Sequence, residues 1–219
     1  MSHMQPDAAT TPATATGPIA GVVLAAGAGS RYGQPKALVR GDDGTPWLVR
    51  TVTTLQASGC SPVLVVLGAR AAEAEALLND AEPPLDNVTV VHADDWAEGL
   101  SASLRAALQA AGRLAAPTAP TALAVVPVDV PDLNPATVQR LLALPGSGST
   151  DPRVTGRTLR QAVFGGRPGH PVLIGREHWG PLLATLTGDS GARHYLAAAG
   201  AEQIECADLS TGLDVDAPR

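Results

Sequence analysis

The segment from Ile19 to Lys36 limits what this chain can become more than any other stretch. Ile19-Ala-Gly-Val-Val-Leu-Ala-Ala26 is an apolar run of strand length, and it empties into a loop containing Gly27, Gly29 and Gly33. A buried strand that ends in a glycine-rich turn presents backbone N–H groups at a sheet edge, where they can cradle an anion. Arg31 and Lys36 lie in and just after that loop. A guanidinium forks two phosphate oxygens and an ammonium meets another, so the combination suits a polyphosphate. Two common nucleotide motifs are not matched. A Walker loop needs G-x-x-x-x-G-K-[ST], and the dinucleotide fingerprint needs G-x-G-x-x-G, whereas here one residue too many precedes Gly33. The plainer alternative is an ordinary Gly-rich turn with solvated Arg and Lys.

The remainder of the chain repeats a strand–helix rhythm. Trp47 to Ala57 has helical periodicity, Pro62 to Leu67 is a branched apolar strand, and Ala71 to Leu78 is an Ala/Glu-rich helix. Val88 to Val91 predicts a strand, Leu100 to Ala111 a helix, Ala122 to Val128 a strand, and Pro135 to Leu144 a helix with Asn134 as its N-cap. This alternation predicts an α/β fold, a Rossmann-like three-layer sandwich with a mostly parallel sheet. Residues 145 to 157 are rich in Gly, Ser, Thr and Arg and read as an exposed connection or a mobile lid. Beyond them, Gln161 to Phe164 and Pro171 to Ile174 pair as strands around a turn from Gly165 to Gly169. Helices near 177–186 and 191–199 and a last strand near 203–206 follow. Met1-Ser-His-Met4 reads as a cloning remnant, and residues 1–18 as a disordered tag and tail, leaving 19–219 as a single domain.

Composition removes several classes of function. Lys+Arg 15 against Asp+Glu 21 gives a net charge of -6, which disfavours a grip on a nucleic-acid backbone. The chain is 45% hydrophobic but 3% aromatic, so its core must be built from Ala, Val and Leu. No apolar run is long enough to span a membrane. Cys60 and Cys206 form no C-x-x-C pair, which argues against a zinc site or a disulfide scaffold and makes the cytoplasm the expected compartment. The histidines lack zinc-ligand spacing, and no G-x-S-x-G elbow is present.

Carboxylates then mark where the chemistry sits. Asp129 follows a hydrophobic strand, at the carboxyl edge where open α/β sheets bind ligands. A triphosphate near Arg31 and Lys36 needs Mg²⁺, and one or two carboxylates plus phosphate oxygens is the usual Mg²⁺ arrangement. A turn cap before Pro131 is the plainer alternative for Asp129. Gly99, Ser101 and Ser103 lie at a loop-to-helix junction, with Ser101 as a simple N-cap in the plainer alternative. His170 stands between a glycine and a proline, suited to donate to an acceptor phosphate or merely to satisfy a carbonyl. Asp189 and Arg193 flank a helix start that can receive an anion, or that Asp189 can cap.

The run L-A-A-G-x-G-x-R-x-G-x-P-K resembles the signature of the MobA-like nucleotidyltransferase family, in its molybdenum cofactor cytidylyltransferase branch. Trp96-Ala-Glu-Gly-Leu-Ser-Ala-Ser103, Val126-Pro-Val-Asp129, Gly169-His170-Pro171 and Gly188-Asp-Ser-Gly-Ala-Arg193 are similar to the same branch. So is Asp214-Val-Asp216-Ala-Pro218, with Ala217 where Thr is usual, and Tyr32 stands where Met is common. The resemblance implies a fold of the nucleotide-diphospho-sugar transferase type and transfer of CMP from CTP to molybdopterin, with pyrophosphate released. It implies Arg31, Lys36 and Asp129 as catalytic residues, and Asp129 and Asp216 as Mg²⁺ ligands, with Asp214 or Asp189 as further candidates for the second carboxylate. Leu24, Ala25, Ala26, Gly27, Gly29, Gly99 and Ser103 would meet the nucleotide, and His170, Asp189 and Arg193 the acceptor. Ala26, where the guanylyl branch usually has glycine, favours a pyrimidine over a purine by crowding. A molybdenum hydroxylase is the implied recipient of the product. GTP as donor, a sugar phosphate as acceptor, and a non-catalytic cofactor carrier are the alternatives.

Overall fold

A computed structural model of the protein describes residues 17–143 and 154–217. Its strands are β1 Ile19–Ala25, β2 Val63–Leu67, β3 Val88–His92, β4 Ala122–Pro127, β5 Leu159–Phe164, β6 Arg167–Gly175 and β7 Glu202–Glu205. Its α-helices are α1 Trp47–Ala57, α2 Ala71–Asn79, α3 Leu100–Arg113, α4 Pro135–Ala143, α5 Trp179–Leu183 and α6 Arg193–Ala198. The strands form one sheet in the order β3-β2-β1-β4-β6-β5-β7. β6 runs antiparallel to both neighbours, and every other pairing is parallel. The chain thus has the Rossmann-like α/β architecture expected of it.

The period-two geometry of strands explains why the central ones are apolar throughout. In β2, Val63, Val65 and Leu67 face one layer while Leu64 and Val66 face the other, and all are buried. One layer packs Leu48, Val52 and Leu55 of α1 with Val138 and Leu141 of α4. The opposite layer packs Leu104, Ala107 and Leu108 of α3 with Trp179 and Leu182 of α5 and Leu196 of α6. With few aromatics available, alanines on α3 allow the helix to lie close to the sheet.

Several boundaries differ from the sequence expectations. The turn between β5 and β6 is Gly165 and Gly166, because Arg167 to Gly169 already belong to β6. The helix expected over 177–186 is a short 3₁₀ turn followed by the five residues of α5. Asn134 does cap α4, accepting from the Thr137 amide at 3.1 Å. Gly17 and Pro18 are not loose: the Thr121 amide donates to the Pro18 carbonyl at 2.9 Å, and its hydroxyl to that of Gly17. Of the expected lid, residues 145–153 lie outside the described residues, while Val154 is buried in the core. Arg160 is the largest unforeseen core residue. It is 1% exposed, donating to the Leu141 carbonyl at 2.6 Å and to Glu202 at 3.1 Å. None of the helices in the described residues is long and apolar enough to cross a membrane.

Candidate active site

The parallel strands β1, β2 and β4 end at the same sheet edge, and the reversed β6 begins there, so His170 starts where Asp129 finishes. The Val128 amide donates to the Leu24 carbonyl at 3.0 Å, which continues the β1–β4 pairing and sets Asp129 beside the glycine loop. Within that loop the amides of Tyr32 and Gly33 both donate to the Gly29 carbonyl at 2.9 Å. Those two amides close the turn on itself, so the expected phosphate cradle narrows to the amides outside it, from Gly27 to Arg31. Gly29 is required by its backbone: φ is +62°, and a Cβ there would lie 1.9 Å from the Gln34 carbonyl oxygen. Ala37 and Val39 are buried immediately after the loop, which pins Lys36 at its mouth.

The Lys36 ammonium joins two carboxylates far apart in sequence. Its Nζ lies 2.8 Å from Asp129 Oδ2 and 3.0 Å from Asp216 Oδ1. Burial disfavours charge on Lys36, but its bonds to Asp129 and Asp216 outweigh that and hold its pKa above the ordinary lysine value. The same bond, with the charges of Lys36 and Arg31, holds Asp216 below the usual aspartate value. Arg31 is solvent-exposed at the loop. The terminal segment reaches the site through backbone bonds, since the Val215 amide donates to the Asp129 carbonyl at 3.0 Å. Thr211 anchors it further back, donating through both amide and hydroxyl to Asp132.

Among the described residues no group of three or more His, Cys, Asp or Glu could hold a metal ion. A phosphate-bound Mg²⁺ does not need one, because oxygens of the nucleotide and water complete its shell. One observation fits such an ion. Asp129 Oδ1 is buried without any hydrogen-bond partner, and a buried carboxylate oxygen left unpaired is costly unless something else meets it. Asp129 and Asp216 are therefore the residues that would hold a divalent cation. The charges of Asp129 and Asp214 act to raise the pKa of His170, yet burial outweighs them and pushes its imidazole down to about 4. It is thus neutral at physiological pH, able to donate one hydrogen bond but not to supply a positive charge to an acceptor phosphate.

Leu24, Ala25 and Ala26 are buried, so they offer the site backbone and not side chain. Ala26 is 2% exposed, in the cluster with Ala93 and Leu104, which places its methyl in the core and weakens a direct crowding of the base. The Ala26 carbonyl accepts from the Ala69 amide at 2.9 Å, linking the glycine loop to the end of β2. There Trp96 covers Gly68 so closely that a Cβ would lie 2.5 Å from the indole, and the chain continues directly to Gly99 and α3.

Ser101 and Ser103 are both buried, and Ser101 is engaged on both sides. Its hydroxyl donates to the Thr187 carbonyl at 3.0 Å and accepts from the Gly191 amide at 3.2 Å. Asp189 caps a helix other than the one expected: its Oδ1 accepts from the Leu100 amide at the start of α3, not from α6. Arg193 begins α6 and is exposed.

With this geometry in view, comparison with known proteins is decisive. Residues 21–204 match the MobA-like NTP transferase domain. The chain belongs to that family. As a MobA-like protein it is an enzyme of the nucleotidyltransferase kind. It is 35% identical over 206 residues to nicotine blue oxidoreductase of Paenarthrobacter nicotinovorans, covering 90% of this chain and 92% of the relative. It is 27% identical over 211 residues to molybdenum cofactor cytidylyltransferase of Escherichia coli K12, covering 90% of each. Among solved MobA-like folds, Rv0371c of Mycobacterium tuberculosis H37Rv superposes with a TM-score of 0.70 at 27% identity, covering 92% of this chain and 94% of that one. The same mycobacterial protein has also been solved in complex with manganese, with a TM-score of 0.61 at 26% identity over 87% of this chain and 89% of that one.

Proposed function

We propose that this MobA-like enzyme transfers CMP from CTP to a molybdopterin-type acceptor and releases pyrophosphate, with Mg²⁺ as cofactor. The observation that carries the reading is the meeting of Lys36, Asp129 and Asp216 beside the glycine loop, with Asp129 Oδ1 buried and unpaired. The similarity to the cytidylyltransferase of Escherichia coli and the manganese complex of the mycobacterial relative support it.

In this reading an acceptor phosphate oxygen attacks the α-phosphorus, the new O–P bond forms as the bond to pyrophosphate breaks, and no covalent enzyme intermediate is needed. Arg31 and Lys36 neutralise the triphosphate, and the amides from Gly27 to Arg31 orient it. Asp129 and Asp216 hold the Mg²⁺, which when bound supplies charge stabilisation to phosphate oxygens. Gly99 and Ser103 border the base, and His170, neutral, donates to the acceptor. The product then passes to a molybdenum hydroxylase.

The test is pyrophosphate release from CTP, GTP, ATP and UTP, with and without molybdopterin and Mg²⁺. Release that requires CTP, the pterin and the metal together is the expected result; release with another nucleotide reassigns the base. A second reading, oxidoreductase chemistry on a heterocyclic substrate, is favoured by the 35% identity to nicotine blue oxidoreductase. Its signature is two-electron reduction of supplied nicotine blue, matched mole for mole by oxidation of a supplied two-electron donor, in a parallel assay without pyrophosphate release, and that outcome would replace the first reading.

A further inference from the structure

The start of α3 does not stand alone. It is tied to residues 186–191 by a set of bonds that bridge more than 80 positions of sequence. The Ser101 amide donates to the Gly188 carbonyl at 3.0 Å, beside the two bonds made by its hydroxyl. Arg105 donates to the Leu186 carbonyl at 3.1 Å and to Asp95 at 3.2 Å, so the loop before α3 joins the same unit. Asp189 completes it, accepting from the Leu100 amide at 3.2 Å.

Gly99 shows how tightly that carboxylate fits. A Cβ on Gly99 would sit 2.2 Å from Asp189 Oδ1 and 2.9 Å from the Gly188 carbonyl, and the residue holds φ at +111°. The Asp189 carboxylate thus occupies the space that any side chain at 99 would take, and it fixes the first free amide of the helix.

We infer that Asp189 is a positioning residue for the nucleotide base: it acts on the Gly99–Ser103 segment through the Leu100 amide, and it is not part of the acceptor site. The inference rests on the reading of that segment as the base-facing element of a nucleotidyltransferase. An N-cap carboxylate removed from a helix costs enough to loosen its first turn. An asparagine keeps the accepting oxygen and loses the charge.

The experiment compares the full chain with Asp189→Ala and Asp189→Asn. In Asp189→Ala, equilibrium binding of CTP with Mg²⁺ and no acceptor is expected to weaken about tenfold. The nucleotide KM rises in parallel, while kcat and the molybdopterin KM stay within about twofold of wild type. Hydrogen exchange over residues 99–103 of the free protein accelerates, and Asp189→Asn restores both binding and exchange. A raised acceptor KM, an asparagine variant as impaired as the alanine, or unchanged exchange would each overturn the inference. If wild type releases no pyrophosphate, the proposed function fails by itself, and exchange with nucleotide binding still decides the role of Asp189.

Discussion

Lys36 Nζ and Asp129 Oδ2 are 2.8 Å apart although 93 positions separate them in the chain, and Asp216 closes on the same ammonium from the far terminus. The lysine is therefore the counter-charge to both carboxylates, while Asp129 Oδ1 stays unpaired.

That arrangement separates the functions of the three residues. Lys36→Met should leave Mn²⁺ binding to the nucleotide-free protein intact or tighter, since a competing charge is gone. If Lys36 neutralises the triphosphate as proposed, the same variant should lose about 10²–10³ in pyrophosphate release. Asp129→Asn should lose both. Titration calorimetry with Mn²⁺ reads the first effect, and weaker Mn²⁺ binding by Lys36→Met would contradict it.

Gly29→Ala tests the loop. The added methyl meets the Gln34 carbonyl in a left-handed backbone, and strain of that kind costs about 1–3 kcal/mol. Urea unfolding should show this loss, and CTP affinity should fall with it. Gly27→Ala, where a Cβ meets nothing within 4 Å, should be nearly silent in stability.

Part of this arrangement is legible in the sequence itself. The β1 run, the glycine loop and the Asp129 position follow from local pattern, because strand period and turn chemistry act over a few residues. The bond between Asp189 and the Leu100 amide is not legible there for the opposite reason: the two residues are 89 positions apart, and no spacing rule encodes that contact. Arg160 lies just before the strand expected from Gln161, and an arginine there carries no local signal of burial. Only the packing of α4 and Glu202 around it turns it inward. The hydroxyl partners of Ser101, Thr187 and Gly191, are equally remote and equally silent in the sequence.

His170 predicts an acid limb. Burial lowers its folded pKa to about 4 from an ordinary 6.5, so the unfolded chain binds a proton that the folded chain refuses. Stability contributed by this residue is constant above pH 6.5 and falls as pH drops from 6.5 towards 4, by up to about 3 kcal/mol. Urea midpoints of metal-free wild type and His170→Gln over that range isolate the effect: the variant should lose less stability on acidification.

Cys60 predicts silence. It is 1% exposed and its thiol is pushed up to about 12 by burial, so almost no thiolate exists at neutral pH. Cys206 is also buried with a raised pKa, to which desolvation contributes most. A thiol reagent at pH 8 should label neither cysteine in the native protein and both in guanidinium; rapid native labelling would mean the core opens far more readily than its packing implies.

The antiparallel ladder between β4 and β6 is the single seam along which the two portions of the sheet are sewn, Ala122–Val125 against Val172–Gly175. On one side of it lie the strands that carry the glycine loop, and on the other those that frame His170. The flanks are nevertheless joined at the site, because Asp216, carried on the segment that follows β7, closes on Lys36 beside the glycine loop. Such a layout makes the site a shared possession of both flanks, so that substitutions near it on one flank and on the other do not act independently.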